Sequence, residues 1–198
     1  MRMKNTSGYR WFWIFAVVCG LAGAAGLRAN AAEPTAFQLI KTGNQFVSEA
    51  SKDKVLEIYS DKSLIGTTPN VWYVDYFDAD ARGKIVEVKF GAGQKLDVSR
   101  PLKLFNGGKA DNVFDLKKIK MDSDAALRAA TSLELLKPLT LKNTQMWLSH
   151  GGDDVVWKVR IWAAKLKNEK ATAEIGDVFV SPENGKVIRA DLHVDRVQ

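Results

Sequence analysis

Two eight-residue stretches constrain the fold more than any other feature of this sequence. Residues 70–77 read NVWYVDYF and residues 155–162 read VVWKVRIW, so each run has Trp third and Val fifth. Trp72 and Trp157 lie 85 positions apart (157 − 72), and the surrounding elements recur in matching order. A fixed offset with matching order is typical of an internal duplication. We therefore predict that one structural unit is used twice.

The first unit is predicted to be one helix followed by four short strands. Apolar residues spaced for one helical face predict a helix over residues 35–53, and Thr35 with Gln38 has the pattern of a capping box. Gly43 interrupts this pattern. The strands VLEIYS, VWYVDYF, KIVEVKF and KLDV follow, separated by Gly, Pro and Asn turns.

The second unit repeats this order. Asp122 or Ser123 can cap a helix that runs to Pro138. Its apolar stripe contains Ala126, Ala129, Ala130, Leu133 and Leu136. Four strands follow, within LTLKNTQMWLSH, VVWKVRIWAAKL, ATAEIGDVFV and KVIRADLHV. The predicted organisation is a signal segment (1–31), a first repeat (32–98), a linker (99–120) and a second repeat (121–198).

The second half resembles a PepSY domain, a small module of exported bacterial proteins. The residues that carry the resemblance are DSDAALRAA, VWKVRIW and the closing hairpin VFVSPENGKVIRADL, within residues 121–195. The first half is a weaker copy, with GAGQKLDV in place of SPENGKVI. The resemblance implies an α+β fold of two tandem cystatin-like units, each with one helix packed on a short antiparallel sheet. It also implies export and peptide binding or peptidase inhibition, with no enzyme motif to transfer.

The N-terminus has the pattern of a secretory signal peptide. Basic residues precede an uncharged stretch from Trp11 to Leu27, and Ala29-Asn30-Ala31 provides small residues two apart. The alternative is an uncleaved membrane anchor, but that needs about 20 apolar residues, and this stretch is shorter and contains three glycines. Cys19 follows Val18, which does not fit a lipid-attachment signal. We predict cleavage after Ala31 and a periplasmic or secreted bacterial protein.

Cleavage would change the charge and the cysteine content. Of the 29 basic residues, four leave with the signal, so 25 face 23 acidic residues in the mature chain. A net charge of +2 gives little support to nucleic-acid binding, which depends on many phosphate-neutralising cations. The single cysteine also leaves, so the mature chain has no disulfide. Core packing must hold it together, which a chain of this size can supply.

No residue pattern predicts catalysis, a cofactor or a metal. Ser149, His150 and Asp153 are close in sequence, but a catalytic triad meets through the fold rather than through sequence adjacency. The run SHGGDDV is typical of a hairpin turn. His150 and His193 are too few for a zinc site without cysteine ligands. Pairs of aspartates in turns lack the remainder of a calcium loop.

Strand alternation divides the repeated strands into two faces. Trp72 and Trp157 are expected to face the helices, together with Val74, Tyr76, Val159 and Ile161. The opposite face then carries six residues, which we predict as the partner-binding surface: Tyr73, Asp75, Phe77, Lys158, Arg160 and Trp162. Aromatic residues and Arg are enriched at interface centres. The alternative is that the two repeats bury these faces against each other, with Asp75 opposite Lys158 or Arg160.

Two functional hypotheses follow. The first is an exported, non-enzymatic PepSY-like protein that binds a protein or peptide partner in the cell envelope. The second is a small-ligand-binding pocket protein or weak hydrolase on a cone-shaped sheet. Two separate helix-on-sheet lobes would favour the first, and one deep pocket containing His150 would favour the second.

The processing prediction is directly testable. The mature protein isolated from its native host is expected to begin at Ala32 and to contain no cysteine, and intact-mass measurement checks both points. A retained Met1 or a lipid adduct on Cys19 would contradict it.

Overall fold

The computed structural model describes residues 33–103, 108–152 and 154–197, and the predicted signal segment lies outside these residues. The two helices are α1 (Ala36–Gly43) and α2 (Ser123–Thr131). The strands are β1 (Val55–Ser60), β2 (Val71–Phe77), β3 (Ile85–Gly91), β4 (Gln94–Ser99), β5 (Leu141–Gly151), β6 (Asp154–Lys165), β7 (Asn168–Val180) and β8 (Val187–Leu192). Short 3-10 turns occupy Ala110–Asn112, Glu134–Leu136 and Val194–Val197.

All eight strands belong to one antiparallel sheet, in the order β4-β3-β2-β1-β5-β6-β7-β8. The predicted fold of two tandem cystatin-like units is therefore wrong. The eight strands and their order along the chain agree with the sequence pattern, but β1 pairs with β5 and joins the two halves into a single sheet. The halves lie side by side in one sheet, so the alternative in which they bury their open faces against each other does not occur.

Buried serines complete the junction between β1 and β5. Ladder pairing is short, with Ile58 opposite Leu148 and Tyr59 opposite Trp147. Beyond it, the Met146 amide donates to Ser60 Oγ and the Thr144 amide donates to Ser63 Oγ, both at 2.9 Å. Both serines are buried. Because a buried amide without an acceptor is costly, these hydroxyls allow the strands to diverge without leaving β5 amides unpaired.

A second connection joins the helices on one face of the sheet. The first amides of a helix have no acceptor within the helix. In α1, the Ala36 amide donates to Ser123 Oγ at 2.9 Å and the Phe37 amide donates to Asp122 Oδ1 at 3.1 Å. Residues at the start of α2 therefore cap α1. Separate lobes would leave these amides without their partners, which is a further reason why the two-unit prediction fails.

The core lies between the helices and one face of the sheet. Trp72, Val74 and Tyr76 of β2 are buried there, as are the equivalent residues of β6. Ala36, Leu39 and Ile40 of α1 belong to the same hydrophobic cluster, as do Ala126, Leu127 and Ala130 of α2. The face assignment predicted from strand alternation is thus confirmed, although both halves contribute to one shared core.

Both helices are shorter than predicted. α1 ends at Gly43, where a Cβ would lie 2.2 Å from Tyr76 Oη, while that hydroxyl donates to the Ile40 carbonyl at 2.9 Å. α2 ends at Thr131, whose hydroxyl donates to the Leu127 carbonyl at 2.8 Å. The apolar pattern therefore continues beyond the end of each helix.

The sheet has an approximate two-fold relation between its halves. Tyr59 pairs with Tyr73 on β2, and Trp147 pairs with Lys158 on β6. Since Tyr73 and Lys158 follow the repeated Trp residues, Tyr59 and Trp147 are equivalent positions. They also pair with each other. The relation is therefore centred on the Tyr59–Trp147 pair.

The segment between the repeats is attached to the sheet rather than free. The Gly108 amide donates to the Gly83 carbonyl at 3.3 Å, and the Phe114 amide donates to the Val55 carbonyl at 2.8 Å. Phe114 is buried in the core. The described part of this segment therefore follows the end of the sheet before reaching α2.

The shared core makes a testable prediction for Trp157, which has no exposed surface and donates from Nε1 to the Met121 carbonyl at 2.9 Å. Trp157→Ala is expected to cost about 3–5 kcal/mol in free energy of unfolding, because it removes a buried aromatic side chain. Denaturant titration checks this, with the exposed Ile188→Ala as the control. One transition for both halves is expected. A neutral effect, or loss of the second half alone, would contradict the shared core.

Candidate binding surface

The sheet face opposite the helices, called the outer face below, carries one continuous row of side chains across all eight strands. The strand registers place these residues directly opposite one another in succession. In spatial order from β4 to β8, this transverse row consists of Asp97, Lys89, Tyr73, Tyr59, Trp147, Lys158, Phe179 and Arg189. With strands about 4.8 Å apart, the row extends about 34 Å.

Aromatic side chains form the centre of the transverse row. The rings of Tyr59 and Tyr73 are stacked, with centroids 4.7 Å apart and planes 6° from parallel. Trp147 continues the strip next to Tyr59, and Lys158 Nζ lies 4.0 Å from the Trp147 ring centroid. On the other side, Lys89 Nζ lies 5.0 Å from the Tyr73 centroid. Cations over aromatic faces are favourable, so the strip and its flanking lysines order one another.

The basic side chains of the transverse row differ in whether a carboxylate lies close enough to neutralise them. Within the part of the chain that the structure describes, neither Lys89 nor Lys158 has a carboxylate within 4.0 Å. Arg189 stacks over Phe179 at 4.1 Å and pairs with Asp191 at 2.8 Å. The two lysines beside the aromatic strip therefore present charge that is available to a ligand.

Three carboxylates form a second feature of the outer face. Glu57, Asp75 and Glu87 lie opposite one another on β1, β2 and β3, and we call them the acidic cluster. Lys103 reaches over them: its Nζ contacts Asp75 Oδ2, and lies 3.3 Å from Glu87 Oε2. Tyr59 Oη donates to Glu87 Oε2 at 2.6 Å. One lysine therefore faces three carboxylates.

Burial changes the protonation of this cluster. It raises the pKa of Asp75 to about 7, even though the Lys103 ammonium acts to lower it. Burial also raises the pKa of Glu57. For Glu87, burial acts in the same direction, but the hydrogen bond from Tyr59 and the ammonium of Lys103 outweigh it, so the pKa of Glu87 is lowered. Adjacent carboxylates thus differ in their affinity for protons.

The structure distributes the six predicted partner-binding residues over four environments. Tyr73 and Lys158 belong to the transverse row. Arg160 lies beside it and forms a two-point ion pair with Asp177, at 2.8 and 3.0 Å. Trp162 and Phe77 lie towards strand ends, and Lys62 Nζ is 4.4 Å from the Trp162 centroid. Asp75 is buried, because the linker residue Lys103 covers it.

Sequence reasoning missed other residues of this surface: Tyr59, Lys89, Lys103, Trp147 and Phe179. Tyr59 and Trp147 carry a signal, because they alternate with buried residues along β1 and β5. Their alignment with Tyr73 and Lys158 depends on strand register, which alternation does not define. Lys103 lies in the linker, where no periodic pattern exists.

A separate cavity of about 490 Å³ lies at one end of the sheet. Its lining includes Phe114, Ile119, His150, Asp154 and Glu183. The His150 Nε2 atom is 3.0 Å from the Asn112 carbonyl oxygen. Neighbouring residues of a strand point to opposite faces, so β5 directs His150 and Ser149 apart. Asp153 lies outside the described residues.

Comparisons with known proteins add no family assignment. No family model, curated protein or solved structure matches this chain. Among the described residues, no group of three or more His, Cys, Asp or Glu side chains is arranged to hold a metal ion. In the same residues, no helix is both long and apolar enough to cross a membrane. The PepSY resemblance therefore stays a prediction from sequence.

The acidic cluster predicts a specific pH dependence. Because the pKa of Asp75 is higher in the folded than in the unfolded chain, its contribution to stability is full below about pH 4 and is lost as pH rises to about 7. Asp75→Asn removes this dependence. As pH rises across this window, the free energy of unfolding of the variant minus that of the wild type is expected to increase by on the order of 1 kcal/mol per pH unit.

Glu87→Gln provides the matched control on the neighbouring strand. The pKa of Glu87 is lowered in the folded chain, so its contribution is present at neutral pH and is lost as pH falls below about 4. Its effect should therefore shrink towards acid pH. Denaturant titrations between pH 3.5 and 8 measure both differences. Parallel pH profiles for the two variants would contradict this description of the cluster.

Proposed function

We propose that this chain is an exported, non-enzymatic PepSY-like protein that binds a partner protein of the cell envelope across its outer face. The transverse row is the observation that carries the proposal. It combines a central aromatic strip with two flanking lysines that have no carboxylate within 4.0 Å among the described residues. Aromatic residues dominate binding energy at interface centres, and charge sets partner choice.

The row also defines the chemistry of the partner segment. Tyr73, Tyr59 and Trp147 suit apolar or aromatic side chains, whereas Lys89 and Lys158 suit carboxylates. The two lysines are four strand spacings apart, which is about 19 Å. A segment with acidic residues at both ends of an apolar centre therefore matches the row. The length of about 34 Å is appropriate for an interface of ordinary size, which buries about 800 Å² on each partner.

Export, the non-enzymatic role and the class of partner are proposed from the sequence. Export is supported by the signal-peptide pattern of residues 1–31. The absence of a catalytic motif supports a binding role over an enzymatic one. The PepSY resemblance makes an exported peptidase one class of partner to test, with modulation of its activity as the outcome.

A second candidate function rests on the cavity beside His150. Its volume of about 490 Å³ is within the range of small-molecule sites, and its lining mixes apolar and charged side chains. A small ligand in this cavity would compete with the contact between His150 and Asn112. Loss of its binding in His150→Ala, with binding kept in a transverse-row variant, would identify this site.

Charge reversal tests the favoured proposal. Lys89→Glu combined with Lys158→Glu is expected to reduce partner affinity on the order of tenfold or more, because both lysines would repel the carboxylates that they now attract. The measurement compares which proteins of the host's exported fraction are retained by wild-type and variant chains, followed by titration of the retained protein.

The matched control is Lys41→Glu combined with Lys120→Glu, which makes the same change in net charge at exposed positions away from the transverse row. The control should retain the partner, and all three chains should unfold at similar denaturant concentrations. Equal retention by the row variant and the control would overturn the proposal.

A further inference from the structure

The acidic cluster has the composition of a site for a primary ammonium group. Strand pairing holds Glu57, Asp75 and Glu87 side by side, at a spacing of about 4.8 Å between strands. Tyr59 provides an aromatic wall, with Lys103 Nζ 4.7 Å from its ring centroid. Carboxylates combined with an aromatic face attract a cation through charge and ring quadrupole together.

The ammonium of Lys103 lies at the acidic cluster, although Lys103 itself is outside the sheet. It lies beyond the end of β4, in a part of the linker without helix or strand. Its Nζ contacts the carboxylates of Asp75 and Glu87 and lies 3.4 Å from Tyr59 Oη. An ammonium has three donors and no acceptor, and two of these contacts, with Asp75 and Tyr59, are hydrogen bonds. The chain therefore supplies its own ligand to the cluster.

The cluster has more acceptor capacity than Lys103 satisfies. Asp75 is 1% exposed, yet its Oδ1 atom has no hydrogen-bond partner. A buried carboxylate oxygen without a donor is costly. In the equivalent place on β6, Arg160 is neutralised within the sheet by Asp177. The first half has no such partner on the strands and depends on a residue from the linker.

We propose that the acidic cluster is a binding site for a primary ammonium group, in which Lys103 is a tethered occupant that a lysine side chain of a bound protein replaces. A compact ammonium suits this site better than a planar guanidinium, because Lys103 Nζ contacts carboxylates of two different strands rather than the edge of a single carboxylate. The site lies next to Tyr59 of the transverse row, so a protein on the outer face reaches both. This inference rests on the proposed function and adds a second contact to it, in which the partner supplies the positive charge and this chain the negative charge.

Tethering makes exchange possible at moderate cost. A linked occupant competes at an effective concentration in the millimolar range, so a free amine binds weakly while Lys103 is in place. A second ion pair holds the same stretch of chain to the sheet: Arg100, three residues before Lys103, pairs with Asp78 at 3.3 Å. The Arg100 side chain is largely exposed. Such pairs contribute little to stability. Removal of the Lys103 side chain should therefore expose a vacant site for an added amine.

Chemical rescue tests this site without any partner protein. Lys103→Ala is expected to lower the Tm, and n-butylammonium chloride is expected to raise it again by about 2–4 °C relative to sodium chloride at the same ionic strength. This is the shift that mass action gives a domain of this size when ligand is several-fold above its Kd. The wild type should show no such difference between the salts.

Lys103→Ala combined with Asp75→Asn is the matched control, and it should not distinguish the two salts. If Lys103→Ala does not fold, Lys103→Met keeps the apolar stem and is tested in the same way with methylammonium chloride. An equal response to sodium and alkylammonium, or an equal rescue of the double variant, would overturn the proposal. The transverse-row lysines are unchanged in these chains, so failure here is distinguishable from failure of the proposed function.

Discussion

The junction between β1 and β5 is the constraint on which the remaining structure depends. It joins two four-stranded sheets into one, although only a short ladder forms between them. Ser60 and Ser63 replace the missing ladder acceptors on one side of it. On the helix side, Ser123 and the adjacent Asp122 complete the start of α1. Polar contacts between the halves thus commit them to one core and one outer face.

A continuous outer face has consequences that neither half would have alone. Tyr59 and Trp147 come from different halves, yet they are neighbours at the centre of the transverse row. The aromatic strip therefore exists only because the two sheets are joined. The acidic cluster is confined to the first half, and its neutralisation comes from the linker between the halves. Both features therefore depend on how the two halves of the sheet are joined.

The sequence predicted the elements better than their assembly. Alternation in β2 and β6 correctly assigned Trp72 and Trp157 to the core, because period-two patterns report directly on a face. The β1–β5 pairing carries no comparable pattern: it depends on buried hydroxyls at Ser60 and Ser63, and serine is common in loops as well. Sheet edges that pair or remain open look alike in sequence. This is why two separate units were predicted where one sheet forms.

The candidate surface was predictable only in part, because alternation along a strand indicates the face of a residue but not what covers it. Alternation placed Tyr73 and Lys158 on the outer face, but it also placed Asp75 there as an exposed side chain. Asp75 is buried because Lys103, 28 residues later, covers it. Contacts between a strand and a distant irregular segment have no periodic signal. Register between strands, which aligns the transverse row, is likewise a property of the assembled sheet.

The approximate two-fold relation of the backbone is not matched by the side chains of the transverse row. One of the four equivalent pairs, Tyr59 and Trp147, is aromatic on both sides. The other three differ in chemical character: Tyr73 and Lys158, Lys89 and Phe179, Asp97 and Arg189. A symmetric row would accept an elongated ligand equally well in two opposite directions. Here, reversal would move an acidic group from Lys158 to Tyr73, exchanging an ion pair for contact with an aromatic ring. The side chains therefore give the surface a polarity, so that a ligand lying along it has one preferred direction.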